Sequence, residues 1–243
     1  MSKIMIKRHT WVSIFMHWFN AFCWFFLLAT GMGLIKNSKL DPIGGWWPDM
    51  MRGIFGGGEN LLLAHVICGI IWIAVFLVFA IVCIRKEVIF FIKEIFTFSP
   101  INDILWMIKK GIQMTMGYKM LERLGFEPKI PDQGFYNVGQ KLFAIPSILG
   151  GIVIAVTGIV MYSSKFFIID EAIVQWSILI HFVTVGAVFA GLLIHIYMGS
   201  IAAGEFPALI SMFTGTVPED YAEHHHKFWY DEVKRQEALK QGD

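Results

Sequence analysis

Eight histidines occur in the 243-residue sequence, and four of them, His17, His65, His181 and His195, fall inside long apolar stretches. An ionisable side chain in such a stretch is costly and is a functional candidate by default. A neutral imidazole has one N–H and one nitrogen lone pair, so it can ligate a metal, relay a proton or hydrogen-bond a neighbouring helix. Spacing narrows the choice. His181 and His195 are fourteen residues apart. On a helix that separation is about 21 Å of rise and a return to nearly the same face. Two such ligands cannot hold one metal ion, but they suit two cofactors stacked along one bundle.

The elements that carry these histidines are long helices. Residues 11–35, 61–84, 142–162 and 173–201 contain no Lys, Arg, Asp or Glu. Roughly 20 apolar residues cross the hydrocarbon core of a bilayer, and a helix satisfies every backbone amide on the way. Hydrophobic residues make up 56% of the chain and charged residues only 16%, against about 25% charged in soluble domains. Mean hydropathy is +0.60. The expected fold is therefore an all-α integral membrane protein, a four-transmembrane-helix bundle forming a single membrane domain over residues 1–243. The first stretch follows Lys3, Lys7 and Arg8 as a signal sequence would, but its apolar part exceeds the roughly 7–15 residues of such a segment and reads as a retained span. A net charge of +1 without a long basic tract gives no case for nucleic-acid binding. Cys23, Cys68 and Cys83 sit in apolar runs and form no C-x-x-C pair, so they read as small packing groups, and covalent haem attachment is excluded.

Basic residues set the expected direction. Lys3, Lys7 and Arg8 precede the first span, and Arg85, Lys86, Lys93, Lys109, Lys110, Lys119, Arg123 and Lys129 fall between the second and third. The positive-inside rule places both termini and the loop 85–136 in the cytoplasm of a cell bounded by this membrane. Trp11, Trp46, Trp47, Trp176 and Tyr162 lie near span ends, as an interfacial aromatic belt requires. Within the loop, residues 88–98 read as a helical extension or interfacial piece instead of a fifth span, and 101–124 as an amphipathic surface helix in contact with lipid. The tail 206–243 reads as a cytoplasmic extension, helical from Pro218 onward.

Given that direction, depth sorts the histidines. His17 and His195 share the cytoplasmic-side level, while His65 and His181 share the outer level. Each pair fills both axial positions of a haem iron, which leaves no open site for substrate and implies electron transfer. The four histidines are thus expected as iron ligands of two haem b groups. Zinc, which takes four ligands in a tetrahedron, fits two-histidine levels poorly. Gly31 falls fourteen residues after His17, with Gly69 and Gly191 four residues from His65 and His195. These glycines make room either for a macrocycle edge or for close helix packing. His9 reads as interfacial, and His224, His225 and His226 as a solvated or partner-facing surface.

With its histidine-bearing spans, the chain resembles the cytochrome b (gamma) subunit of membrane-bound respiratory formate dehydrogenases. The more specific elements are Tyr136-Asn137-Val138-Gly139-Gln140-Lys141 at the entrance to span three, Met212-Phe213-Thr214-Gly215, and Glu223-His224-His225 followed by Trp229-Tyr230. The resemblance implies the same histidine pairs. It also implies a menaquinone or ubiquinone site beside the cytoplasmic-side haem, at Asn137 and Gly139 with Gln140 and Lys141 nearby and His195 at the other end. Asn137 as a helix cap and Lys141 as a headgroup anchor are the plainer alternatives. The partners implied are an iron–sulfur subunit and a molybdenum- or tungsten-containing catalytic subunit, in a bacterial inner membrane. This chain would then pass electrons to quinone without itself oxidising formate, and no residue of it is expected to be catalytic. The segment 44–58, rich in glycine and tryptophan, is not assigned by that pattern. A cytochrome b of a nickel–iron hydrogenase or of a sulfur-compound oxidoreductase is a close alternative, and a haem-free transporter with histidine sites is one of another class.

Overall fold

The computed structural model describes residues 4–37 and 39–241. Lys3 and the last two positions of the expected tail lie outside them. Among the described residues, four helices are long and apolar enough to cross a membrane: α1 (Trp11–Gly33), α3 (Gly58–Val82), α7 (Val138–Ser163) and α8 (Glu171–Ile196), the last continued by a π-helical turn over Tyr197–Ile201. The chain is an integral membrane protein built on these four helices. Many of their apolar side chains are exposed, as in Phe22, Ile70, Val78, Ile152 and Ile178, which is the surface that acyl chains cover.

Between them run shorter helices: α2 (Trp46–Phe55), α4 (Ile89–Phe96), α5 (Pro100–Met116), α6 (Tyr118–Arg123), α9 (Phe206–Thr214), α10 (Glu219–His225) and α11 (Lys227–Gln241). The glycine- and tryptophan-rich segment contains α2, which packs on α1 and α3. Gly56 ends α2 at φ 71°, with its own N–H and that of Gly57 returned to Gly53 and Arg52 carbonyls, a left-handed stop that glycine adopts without steric cost. The expected surface helix at 101–124 is interrupted at Gly117, whose φ of 81° separates α5 from α6. α4 follows α3 through a π-helical turn at Ile84–Val88, the helical extension expected there.

Clustering of backbone contacts divides the chain into two compact units. One comprises Trp11–Ile84 and Leu149–Phe189; the other comprises Met1–Thr10, Arg85–Ile148 and Ala190–Asp243. α7 and α8 contribute segments to both.

In the first unit the Trp72 indole N–H of α3 donates to Asn20 Oδ1 of α1 (2.8 Å). The same ring lies against α7, where a Cβ added at Gly151 would sit 3.5 Å from it. α7 and α8 meet at Gly150, where an added Cβ would stand 2.5 Å from Val188 Cγ2. Small residues here let helix backbones approach, the common solution in a membrane.

The second unit holds an element that the all-helical reading did not include. Strand β1 (Met5–Lys7) pairs antiparallel with β2 (Thr216–Pro218), setting Ile6 opposite Val217. Ile6, Val217, Tyr221 and Ala222 are its buried core, with Ala208, Trp229, Tyr230 and Val233 packed around them. Met5–Lys7 are thereby tied to the tail.

Candidate functional site

His65 and His181 lie in the first unit, on α3 and α8, near enough to interact electrostatically. Each faces a threonine followed by a glycine on another helix. Thr30 Oγ1 of α1 lies 2.8 Å from His65 Nδ1 and also 2.8 Å from its own helix carbonyl at Phe26. Thr157 Oγ1 of α7 lies 3.0 Å from His181 Nδ1 and 2.7 Å from the carbonyl of Val153. Both threonines are buried. A Cβ at Gly31 would come 3.3 Å from Cε1 of His65, and one at Gly158 would come 3.5 Å from Cε1 of His181. Gly31 therefore makes room for an imidazole, whereas the spacing at Gly158 is that of an ordinary contact. Gly69 has only an ordinary contact, with Leu27 at 4.0 Å.

This donor set fits a haem. Two imidazoles on facing helices have Nδ1 engaged, which leaves Nε2 for axial ligation, and Gly31 keeps the neighbouring ring edge clear. Sequence analysis reached both histidines but missed both threonines and Gly158. The Thr-Gly pairs at 30–31 and 157–158 were the available signal.

His17 and His195 have different surroundings and sit in different units. His17 on α1 meets the Trp18 ring edge-on at 5.1 Å. His195, near the end of α8, stacks on Phe143 of α7 at 4.5 Å and 15°. Gly191 clears that phenylalanine, since its Cβ would be 3.3 Å from Phe143 Cδ2.

Asn137, Gly139, Gln140 and Lys141 form the entry to α7. Asn137 and Gln140 make a reciprocal capping box: the Gln140 N–H donates to Asn137 Oδ1 (2.9 Å) and the Asn137 N–H donates to Gln140 Oε1 (3.0 Å). The Val138 N–H donates to Gln133 Oε1 at 2.9 Å. Lys141 is buried, with its Nζ donating to Thr97 O at 2.6 Å and lying over the Phe98 ring; it is not a headgroup anchor. Lys141 also lines a cavity of about 470 Å³ together with Glu94, Asp103, Gln133, Phe135 and Trp229. Burial pushes the Glu94 carboxyl above its usual range, against the opposing pull of Lys141.

Of the tail histidines, His226 turns inward, His225 is half-buried and His224 lies on the expected surface. His226 is fully buried, its Nδ1 2.8 Å from the Gly134 carbonyl, and burial lowers its proton affinity well below the ordinary value. His225 stacks on Tyr221 and approaches Glu205 at 3.4 Å. Glu205 also accepts from Tyr221 Oη (2.8 Å) and pairs with Lys110 at 3.4 Å. Burial alone would raise the Glu205 carboxyl, but His225, Lys110 and Tyr221 together hold it below the usual range. Arg8, buried between the rings of Phe135 and Trp229, donates to the Phe135 carbonyl at 2.7 Å. Only His224 of the three remains exposed.

Residues 8–215 match the prokaryotic cytochrome b561 family. The chain is 28% identical over 243 residues to a formate dehydrogenase cytochrome b556 subunit of Haemophilus influenzae, covering 96% of this chain and 87% of the relative. It is 27% identical over 245 residues to the cytochrome b556(Fdn) subunit of the nitrate-inducible formate dehydrogenase of Escherichia coli, covering 98% and 96%. Identity to another Escherichia coli formate dehydrogenase cytochrome b556 subunit is 22% over 231 residues, covering 95% and 94%. The resemblance drawn from the motifs is thus matched across nearly the whole chain.

Proposed function

The chain belongs to the prokaryotic cytochrome b561 family, and on that premise we propose that it is the di-haem membrane subunit of a formate dehydrogenase complex, carrying electrons from an iron–sulfur subunit to a membrane quinone. The observation that carries this reading is the histidine set: two residues fourteen apart on α8, with His65 beside His181 and each Nδ1 engaged by a threonine. Relatives named as formate dehydrogenase subunits, similar over almost their full length, favour formate over hydrogen or sulfur compounds as the ultimate donor.

In this reading His65 and His181 ligate the outer haem, and His17 and His195 the cytoplasmic-side haem of an inner-membrane protein with both termini in the cytoplasm. Haem b, when held by these histidines, would supply one-electron transfer. The protein's part is to fix ring orientation and exclude water. α1, α3 and α8 carry the ligands half-buried among apolar side chains, and the threonines hold two of the rings. Phe143 braces His195 by stacking. The quinone head group binds at the entry to α7, beside Asn137 and Gly139, with His195 at its far end. The capping box spends Asn137 Oδ1 on the backbone, so the Asn137 Nδ2 amide is the group that donates to a quinone carbonyl. Glu94, its carboxyl raised by burial beside Lys141, relays the two protons of quinone reduction in turn, being reprotonated from the cytoplasmic side after each transfer. Electron entry on one face and proton uptake on the other would make the reaction charge-separating.

The test is native purification of the tagged chain, with copurified subunits identified by mass spectrometry and haem counted by pyridine haemochrome. The reading expects an iron–sulfur subunit, a molybdenum or tungsten subunit, and two haem b per chain. A hydrogenase large subunit in their place would defeat the formate assignment, and an absent b-type alpha band would defeat the haem assignment.

A further inference from the structure

We propose that Thr30 and Thr157 are matched positioning residues that fix the tautomer and ring plane of His65 and His181 and so tune the potential of the haem that these two histidines hold. This rests on the reading of His65 and His181 as haem ligands.

The two sites repeat one another on different helices. In each, a buried threonine oxygen is shared between an imidazole Nδ1, at 2.8 or 3.0 Å, and the carbonyl four residues earlier in its own helix, at 2.8 or 2.7 Å. A hydroxyl has one proton. Inside an apolar helix that proton goes to the i−4 carbonyl, the usual back-bond of a membrane threonine. The oxygen is then left as an acceptor, and Nδ1 must be the N–H that donates to it. The lone pair therefore stands on Nε2, the nitrogen a haem iron needs. The glycine after Thr30 admits the ring to this distance, since a methyl at Gly31 would press on Cε1 at 3.3 Å, while at Gly158 a methyl would make ordinary contact with Cε1 at 3.5 Å. An acceptor on Nδ1–H makes the imidazole a stronger donor and stabilises the ferric state. Val in place of Thr keeps the shape and removes the acceptor.

Thr30→Val and Thr157→Val, alone and combined, should be compared with Thr30→Ser and Thr157→Ser in the purified complex. Redox titration of each haem and the low-spin ferric EPR signal are the readouts. The valine variants are expected to raise the midpoint of one haem and shift its largest g-value, additively in the double variant. The serine variants should keep wild-type values, and the haem of His17 and His195 should not move. If the valine variants lose that haem while the serine variants keep it at its wild-type potential, the hydroxyl is again the cause. The proposal is overturned if valine leaves both haems unchanged, if both midpoints move together, or if serine and valine act alike. Failure of the underlying reading would look different: His65→Ala would leave the haem content of the complex intact.

Discussion

The two units solve the problem of buried polarity in opposite ways. In the unit of Trp11–Ile84 and Leu149–Phe189, His65 and His181 are each answered by a threonine whose other bond is to its own helix. Polar chemistry there is sparse, local and repeated. In the other unit, buried cations reach backbone carbonyls far away in sequence: Arg8 to Phe135, Lys109 to Lys129, Lys141 to Thr97. Glu205 gathers Lys110, Tyr221 and His225 into one buried cluster. In the proposed reading the first arrangement orients two ligands between helices at little cost in buried charge. The second stitches loops and tail together, and its network is pH-sensitive because it contains carboxylates and histidines.

Breaking the ligands should have the largest effect and should separate the two ends. His181→Ala is expected to halve the b-type haem and spare the haem at His195. His195→Ala should halve it the other way, leaving a haem of different midpoint. Haemochrome quantification with redox titration checks both, and the same residual midpoint in the two variants would erase the distinction.

Glu205→Gln tests the polar unit. Removing one charge from a buried group of partners costs about 3 kcal/mol, read as a lower unfolding midpoint in detergent at pH 7. The sign of the pH dependence follows from the depressed carboxyl. A carboxylate whose folded proton affinity is lowered stabilises the fold above its unfolded pKa, about 4.3 for glutamate, and loses that contribution as pH falls through the folded value. The wild type should lose stability on acidification through that range, and Glu205→Gln should lose less.

Gly150→Ala tests the apolar unit without touching charge. Its methyl would enter within 2.5 Å of Val188 Cγ2, and overpacking of this kind costs about 2 kcal/mol. The melting temperature should fall with no change in its pH dependence. The smallest effect belongs to Asn137→Ala, which loses a cap worth about 1 kcal/mol. Gln140→Ala breaks the same box. If Asn137 also contacts quinone, Asn137→Ala should raise the KM for quinone, whereas Gln140→Ala should leave it close to wild type; equal KM values would assign Asn137 to capping alone.

The same contrast explains what could be read from sequence. The four spans and the spacing of His181 from His195 were legible because apolar length and helical period are local properties. Gly31 was noticed at the right level, although its neighbour is the His65 ring. Thr30 and Thr157 were not singled out, because a threonine in an apolar run looks like any other small polar residue until its partner helix is known. In the polar unit little was legible. The pairing of β1 with β2 joins segments about two hundred residues apart, and nothing near Met5 announces it. His225 and His226 read as surface because a polar tail hides that Tyr221, Glu205 and Gly134 enclose them. Headgroup anchoring stood as the plainer alternative for Lys141 because its acceptor, the Thr97 carbonyl, is set by the fold of the intervening loop.

The central claim is a path with electrons entering at the haem of His65 and His181 and leaving for quinone beside His195. Formate addition to the purified His195→Ala complex, followed by stopped-flow haem spectroscopy and quinone reduction, tests it most directly. The account predicts that the remaining haem is reduced at the wild-type rate while quinone reduction is lost. Quinone reduction at the wild-type rate, or a remaining haem that formate fails to reduce, would contradict it.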